Sequence, residues 1–179
     1  MFSSVAATPA EVAAGLPGDD LVPAADVVMD RAFSVAAPPE TVWPWFAQLG
    51  KNRAGWYLTR SVERLVPRSS RAIRRIDPAL QDLAVGHVID DWGGRDATFE
   101  IALLEPPHVL VHTSTRGRTD LTWAIVLTPY AGGTRVQLRL RLGTVRHRRL
   151  ASTVGELFDA ATVAGLAAGL RERVSPAPR

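Results

Sequence analysis

The reactive side chains of this 179-residue chain come from four histidines, 18 acidic residues and 21 basic residues, with no cysteine among them. Disulfides, thiolate nucleophiles and thiolate metal sites are therefore excluded. His108 and His112 stand four apart in a strand-like run, about 13 Å at roughly 3.3 Å per residue, too far for two imidazoles to share one ion. His87 and His147 stand alone, so no metal is expected. Asp90, Asp91, Asp96 and Glu100 gather around a turn that contains Gly93 and Gly94. Paired carboxylates divide acid and base roles only where burial separates their pKa values, and such a turn is expected to leave them in water. No serine occupies a nucleophile-elbow sequence, and "GGTR" and "WGGR" are too short and wrongly placed to cradle a phosphate, so no cofactor is expected.

Two further groups invite a functional reading. Arg60, Arg64, Arg68, Arg71 and Arg75 recur at spacings of three and four, which on one continuous helix would give a basic stripe for anionic lipid or nucleic-acid phosphates. Pro67 interrupts that helix, the net charge is only +3 and Lys51 is the sole lysine, so a solvated face is expected, with no nucleic-acid partner. The second group is aromatic: Trp43, Trp45, Trp56, Tyr57, Trp92 and Trp123. In "QLGKNRAGWYLTR", Gly50 and Gly55 let the chain turn, while Trp56 and Tyr57 are too apolar to leave in water.

The elements that position these residues follow from periodicity. "TPAE" combines Thr8, Pro9 and Glu11 in a helix-start pattern. "VVMDRAFSV", Val27 to Val35, alternates as a strand with Val27, Met29, Arg31, Phe33 and Val35 on one side. "APPETVWPWFAQLG" reads as a helix through Val42, Phe46 and Leu49 that must accommodate Pro44. A second helix is expected over residues 58–66, buried through Leu58, Val62, Leu65 and Val66, then an irregular connection over 68–82. Five period-two runs follow: "GHVIDDW", "ATFEIALLE", "HVLVHTSTR", "DLTWAIVLT" and "TRVQLRLRL". Their short connections imply an antiparallel meander.

In that meander Phe99, Ile101, Leu103, Val109, Val111, Leu121, Trp123, Ile125, Leu127, Val136, Leu138, Leu140 and Leu142 are expected inward. Arg135, Gln137, Arg139, Arg141, His108, His112 and Ser114 are expected outward. Residues 149–174 form a helix of roughly 39 Å whose stripe Leu150, Val154, Leu157, Phe158 and Ala161 is expected on the sheet. Farther along, Ala164, Gly165, Ala167, Ala168 and Gly169 offer a small-residue surface. The N-terminus has no basic leader and no long apolar core, and "LFDAATVAGLAAGL" is too short to span a bilayer. A cytoplasmic protein without stable membrane insertion is expected; the oligomeric state is not legible.

The order of elements, with "APPETVWPWFAQLG", "RAGWY", "LQDLAVG", "LEPPHVLV", "LTWAIVLTP" and "GGTRVQLRLR" in sequence, resembles bacterial proteins of the SRPBCC superfamily over roughly residues 16–174. That superfamily gathers START-like lipid-binding domains, polyketide cyclases and dehydratases, and plant allergen-like proteins. The resemblance implies an α+β helix-grip fold, a curved antiparallel sheet wrapped around the long C-terminal helix with a cavity between them. The organisation is then an N-terminal extension over 1–25, a START-like ligand-binding domain over 26–174 and a tail over 175–179.

The partner implied is a small hydrophobic molecule, aromatic ones included, bound or carried by Trp56, Tyr57, Phe99, Ile101, Trp123, Ile125, Leu138, Leu140, Phe158, Ala161 and Gly165. No catalytic constellation stands out. Relatives in the bacterial subgroup that these motifs resemble typically continue "GWY" with a short polar stretch that includes an aspartate, whereas here Leu58, Thr59 and Arg60 follow. A cyclase or dehydratase with Tyr57 orienting an enol or carbonyl oxygen is the alternative, and a basic surface for anionic membrane or nucleic acid is the second.

Overall fold

A computed structural model of the chain describes residues 3–145 and 148–175, without the side chains of 148–154. The expected Leu150 and Val154 contacts and residues 176–179 of the tail lie outside the described residues. Helix α1 (Pro9–Ala13) precedes strand β1 (Val27–Val35), helix α2 (Pro39–Gln48) and the short helix α3 (Arg60–Glu63). Strands β2 (Val88–Asp90), β3 (Thr98–Glu105), β4 (Val109–Arg116), β5 (Thr119–Tyr130) and β6 (Gly133–Leu142) lead to helix α4 (Arg148–Val174). The six strands form one antiparallel sheet in the order β1-β6-β5-β4-β3-β2. Helix α4 lies across it, chiefly over β1. This is the helix-grip fold.

Each helix start has a local reason. At α1, the Thr8 hydroxyl accepts from the Glu11 amide while the Glu11 carboxylate accepts from the Thr8 amide, closing a capping box. Helix α2 begins on Pro39 and passes through Pro44. Helix α3 has four residues, shorter than expected, and its buried side differs from the expected one. Leu65 is 87% exposed and Val62 44%, while Glu63 is 6% exposed. Glu63 turns inward because its carboxylate meets Arg74 Nη1 at 2.7 Å and Arg173 Nη2 at 2.5 Å, so charge pairing, rather than apolar periodicity, orients this turn.

Two registers depart from simple alternation. A bulge lies between Ile101 and Leu103. One extra residue flips every side chain beyond it, so Leu104 joins the main core while Leu103 packs on the opposite face. On β4 the faces are the reverse of those expected: Leu110 enters the main core, and Val109 and Val111 pack with Ala124 and Leu103 on the other side.

That second face is covered rather than solvated. The N-terminal segment starts on the concave side with Val5 in the main core, bridges the β1 edge through Ala6 and Arg31, and then runs over the convex side. Gly18, in the left-handed region at φ +87°, lies so close to Val111 that a Cβ there would meet its methyl at 2.6 Å. Arg139, expected in water, is 3% exposed. Its guanidinium donates to Asp30 Oδ1 at 2.6 Å and Asp19 Oδ2 at 2.8 Å, and to the carbonyls of Glu11, Val12 and Ala14. Arg135 donates to the Glu11 carboxylate at 2.7 Å and 2.9 Å. The polar alternation of β6 therefore marks a buried ionic layer under the N-terminal segment.

Candidate functional site: two ends of the groove under the long helix

Strand register lays two side-chain rows across the concave face. One runs Met29, Leu140, Trp123, His112 and Ile101; the next runs Arg31, Leu138, Ile125, Leu110 and Leu104. Helix α4 meets them with Ala160, Val163, Leu166, Ala167 and Leu170, all buried. The stripe expected on the sheet is not the one used. Leu157 is 62% exposed and Phe158 70%, and Ala161 is exposed as well. The buried stripe is rotated toward the residues that can dock on β1, where Arg31 pairs with Glu156 and lies 2.9 Å from Asp159. Phe158 and Ala161 therefore do not line the packed interface.

The C-terminal half of α4 closes the groove. Gly165 and Gly169, expected to leave room for a neighbour or a ligand, with Gly165 among the ligand-binding residues, are instead filled by residues 57–58. A Cβ on Gly169 would come within 2.6 Å of the Leu58 amide nitrogen and the Tyr57 carbonyl carbon, and one on Gly165 within 2.8 Å of Leu58 Cδ2. Small residues here permit close approach of the 57–58 backbone. Tyr57 is fully buried, edge-on to Trp45 with ring centres 5.5 Å apart, and its hydroxyl donates to the Trp45 carbonyl at 2.8 Å. Burial raises its pKa well above the ordinary phenol value, against the smaller pull of Gln48 and of the Arg173 and Arg53 charges. Arg173 lies over the ring at 4.6 Å and donates to the carbonyls of Leu58, Gly169 and Ile73. Tyr57, Ile101, Ile125 and Leu138 thus belong to one closed core.

The other end is built from aromatic rings. Trp56 lies nearly parallel to Trp123, ring centres 6.2 Å apart and planes 26° apart, and edge-on to Trp92 at 5.5 Å. Trp123 continues to His112 at 5.4 Å and Phe99 at 6.1 Å. Trp56 and Trp123 are half-buried, as is Leu140 beside Trp123, and Trp92 is 47% exposed. Trp56 is held by one hydrogen bond, from its indole N–H to the Thr162 carbonyl at 3.2 Å. The turn that carries Trp92 is fixed by the Asp91–Arg116 pair, with Arg116 also 5.4 Å over the Phe99 ring. Asn52 donates to Asp90 at 2.8 Å and Lys51 to the Gly94 carbonyl at 3.2 Å, so the Trp56 and Trp92 loops are tied together.

His112, expected outward, is 3% exposed on this concave row, and its Nδ1 has no hydrogen-bond partner. Burial pushes its pKa down to about 4, against weaker pulls from the Trp123 backbone and Asp91, so the imidazole is neutral. Asp159 shifts oppositely, up to about 6; burial leads, Arg31 opposes it and Glu156 adds to it. Arg31 offsets this burial only in part, because it also serves Glu156 and donates to the Asp30 carbonyl, and its Nε lacks hydrogen-bond alignment to the Asp159 oxygen despite their closeness.

Of the predicted site residues, Trp56, Phe99, Trp123 and Leu140 meet at the aromatic end. Tyr57, Ile101, Ile125 and Leu138 sit in the closed core; Gly165 is filled by Leu58. Sequence reasoning missed His112 as a neighbour of Trp123 and Trp92 as a neighbour of Trp56, although the alternation of His112 with Leu110 was available as a signal. A depression of about 560 Å³ lies elsewhere, lined by Asp96, Thr98, Glu100, Thr113, Thr115 and Arg116. Register places Thr98, Glu100, Thr113 and Thr115 on the face opposite the aromatic rings, and the lining is polar. Among the described residues, no cluster of His, Asp and Glu could hold a metal ion, and no helix is long and apolar enough to cross a membrane.

Solved structures share this architecture. The protein MLL2253 from Mesorhizobium loti aligns at 18% identity with a TM-score of 0.53, covering 84% of this chain and all of its own. CalU16 from Micromonospora echinospora aligns at 20% identity and TM-score 0.53, over 84% of this chain and 77% of its own. A protein from Rhodobacter sphaeroides aligns at 20% identity and TM-score 0.51, over 84% and 93%. No model of a known protein family matches the sequence, and no curated protein sequence does.

Proposed function

We propose that this helix-grip chain binds a small flat apolar molecule, aromatic ones included, between Trp56 and Trp123. The observation that carries this reading is the near-parallel, half-buried Trp56–Trp123 pair. Aromatic rings with one wet edge supply a large apolar contact area at low entropic cost. A planar ring sandwiched between two others needs about 7 Å, twice the closest carbon–carbon separation. The ring centres are 6.2 Å apart and the planes 26° apart, so Trp56 must swing outward to admit a third ring, and a single indole hydrogen bond resists that movement. The alternative of Tyr57 orienting an enol gains no support, because its hydroxyl is buried and engaged by Trp45. The arginine stripe is partly spoken for too: Arg71 donates to the carbonyls of Val66 and Arg64.

Calorimetric titration with 2-methylnaphthalene tests this. Binding is expected in the micromolar range, weakened at least tenfold in Trp56→Ala and Trp123→Ala and unchanged in Ala161→Ser on the exposed side of α4. No binding below about a millimolar Kd, equivalent to −4.1 kcal/mol, or equal binding by both tryptophan variants, overturns it.

A further inference from the structure

We infer that His112 is a polar anchor in this aromatic groove and that the ligand is an aromatic molecule bearing a hydroxyl group; the inference rests on the reading above. Three observations converge on it. The imidazole is nine-tenths buried or more, with Nδ1 lacking any partner. A buried polar atom left unpaired is destabilising, so such atoms are rare and call for a partner. The side chain sits on the concave row as the cross-strand neighbour of Trp123, stacked with it at 5.4 Å and flanked by Phe99 at 5.4 Å. The imidazole and Phe99 thus border the Trp123 ring on the concave face, next to the place proposed for a ligand. Finally, the rest of the wall, Trp56, Phe99, Trp123 and Leu140, is apolar apart from the indole N–H groups, and that of Trp56 is engaged by Thr162.

The chemistry of the anchor selects the group. A neutral imidazole offers one donor and one acceptor nitrogen, and which is which depends on the tautomer. A hydroxyl both donates and accepts, so it satisfies either tautomer, whereas a carboxylate would bring a charge to a site that already disfavours one. Asp91 and Arg116, which flank this end, neutralise each other in their own pair. The groove therefore discriminates hydroxylated aromatics from their methylated isosteres, because a site with an unpaired polar group rejects the analogue that cannot fill it.

The test compares 2-naphthol with 2-methylnaphthalene by calorimetry, in wild type and in His112→Phe, together with imidazole nitrogen resonances in the wild-type protein. Expected are a preference of at least tenfold for 2-naphthol, its loss in His112→Phe with 2-methylnaphthalene still bound, and a shift of the His112 nitrogen resonances with 2-naphthol alone. Equal wild-type affinity for both compounds overturns the anchor while leaving the aromatic groove standing. So does a preference for 2-naphthol with unmoved His112 resonances, a readout that does not depend on the variant folding. Binding of neither compound removes both readings.

Discussion

The two ends of α4 meet the sheet in opposite ways. Toward its C-terminus the helix is set with glycines, and the 57–58 backbone presses into them while Arg173 and Glu63 close the space beneath. Toward its middle it meets indole rings held by one hydrogen bond and an imidazole with an unpaired nitrogen. The contrast shows that small helix residues and large sheet residues do not by themselves make a cavity. Where the small residues lie, the 57–58 main chain and the Leu58 side chain fill the space; the less buried rings lie where the residues are large but imperfectly paired.

The largest effect is expected at the closed end. The Arg173 side chain is fully buried and that of Glu63 is 8% exposed. Glu63→Ala leaves a buried guanidinium without its carboxylate, a loss of about 3–5 kcal/mol. Urea unfolding should show it, while 2-methylnaphthalene affinity in the still-folded variant stays at the wild-type value. A loss under about 1 kcal/mol would mean that this end is solvated and the contrast between ends is false.

Next comes pH, where the two perturbed groups have opposite signs. His112 titrates at about 4 in the folded chain, below its ordinary 6.5, so its contribution is present above pH 6.5 and is lost as pH falls toward 4. Asp159 titrates at about 6, above its ordinary 3.8, so its contribution is present below pH 3.8 and lost as pH rises through 6. Between pH 4 and 6 the slopes oppose each other. Relative to wild type, His112→Phe should remove an acid-side loss of up to about 3 kcal/mol, whereas Asp159→Asn should steepen that loss. Unfolding free energies at pH 4, 5 and 6.5 that run parallel in all three proteins would show that neither group is buried as described.

The antiparallel meander of β2 to β6, the long helix and the capping box at Thr8 were legible because each depends on local periodicity or on a short motif. What could not be read depended on partners distant in sequence. Arg139 sits at an outward position of a clean alternation, and only the segment folding back from residues 11–19 makes that position interior. The bulge after Ile101 has no composition of its own, yet it reassigns Leu103 and Leu104. His112 was placed outward by its polarity, which outweighed the equally visible alternation with Leu110. On α4, apolar content pointed to Phe158, whereas the Arg31 contacts with Glu156 and Asp159 fix which side docks. The site was half visible for the same reason: Trp56 and Trp123 announce themselves by size, but the residues that close or open the groove around them are set by contacts across the fold.

The finest distinction lies between the two glycines of the closed end. In a helix interior, glycine to alanine gains about 1 kcal/mol from backbone propensity alone, so any loss measures the clash. At Gly169 the obstacle is the Leu58 and Tyr57 main chain at 2.6 Å, which cannot rotate away. Overpacking of this kind is destabilising by about 1–3 kcal/mol, and Gly169→Ala is expected to show a net loss. At Gly165 the obstacle at 2.8 Å is only Cδ2 of Leu58, the far end of a half-buried, rotatable side chain. Gly165→Ala is therefore expected within about 0.5 kcal/mol of wild type, or slightly above it. Thermal unfolding of the pair measures how tightly each glycine is gripped. Equal losses at both would mean that Leu58 is wedged as firmly as the main chain, carrying the closed end a full turn closer to Trp56 and leaving that indole less freedom to swing aside for a ligand.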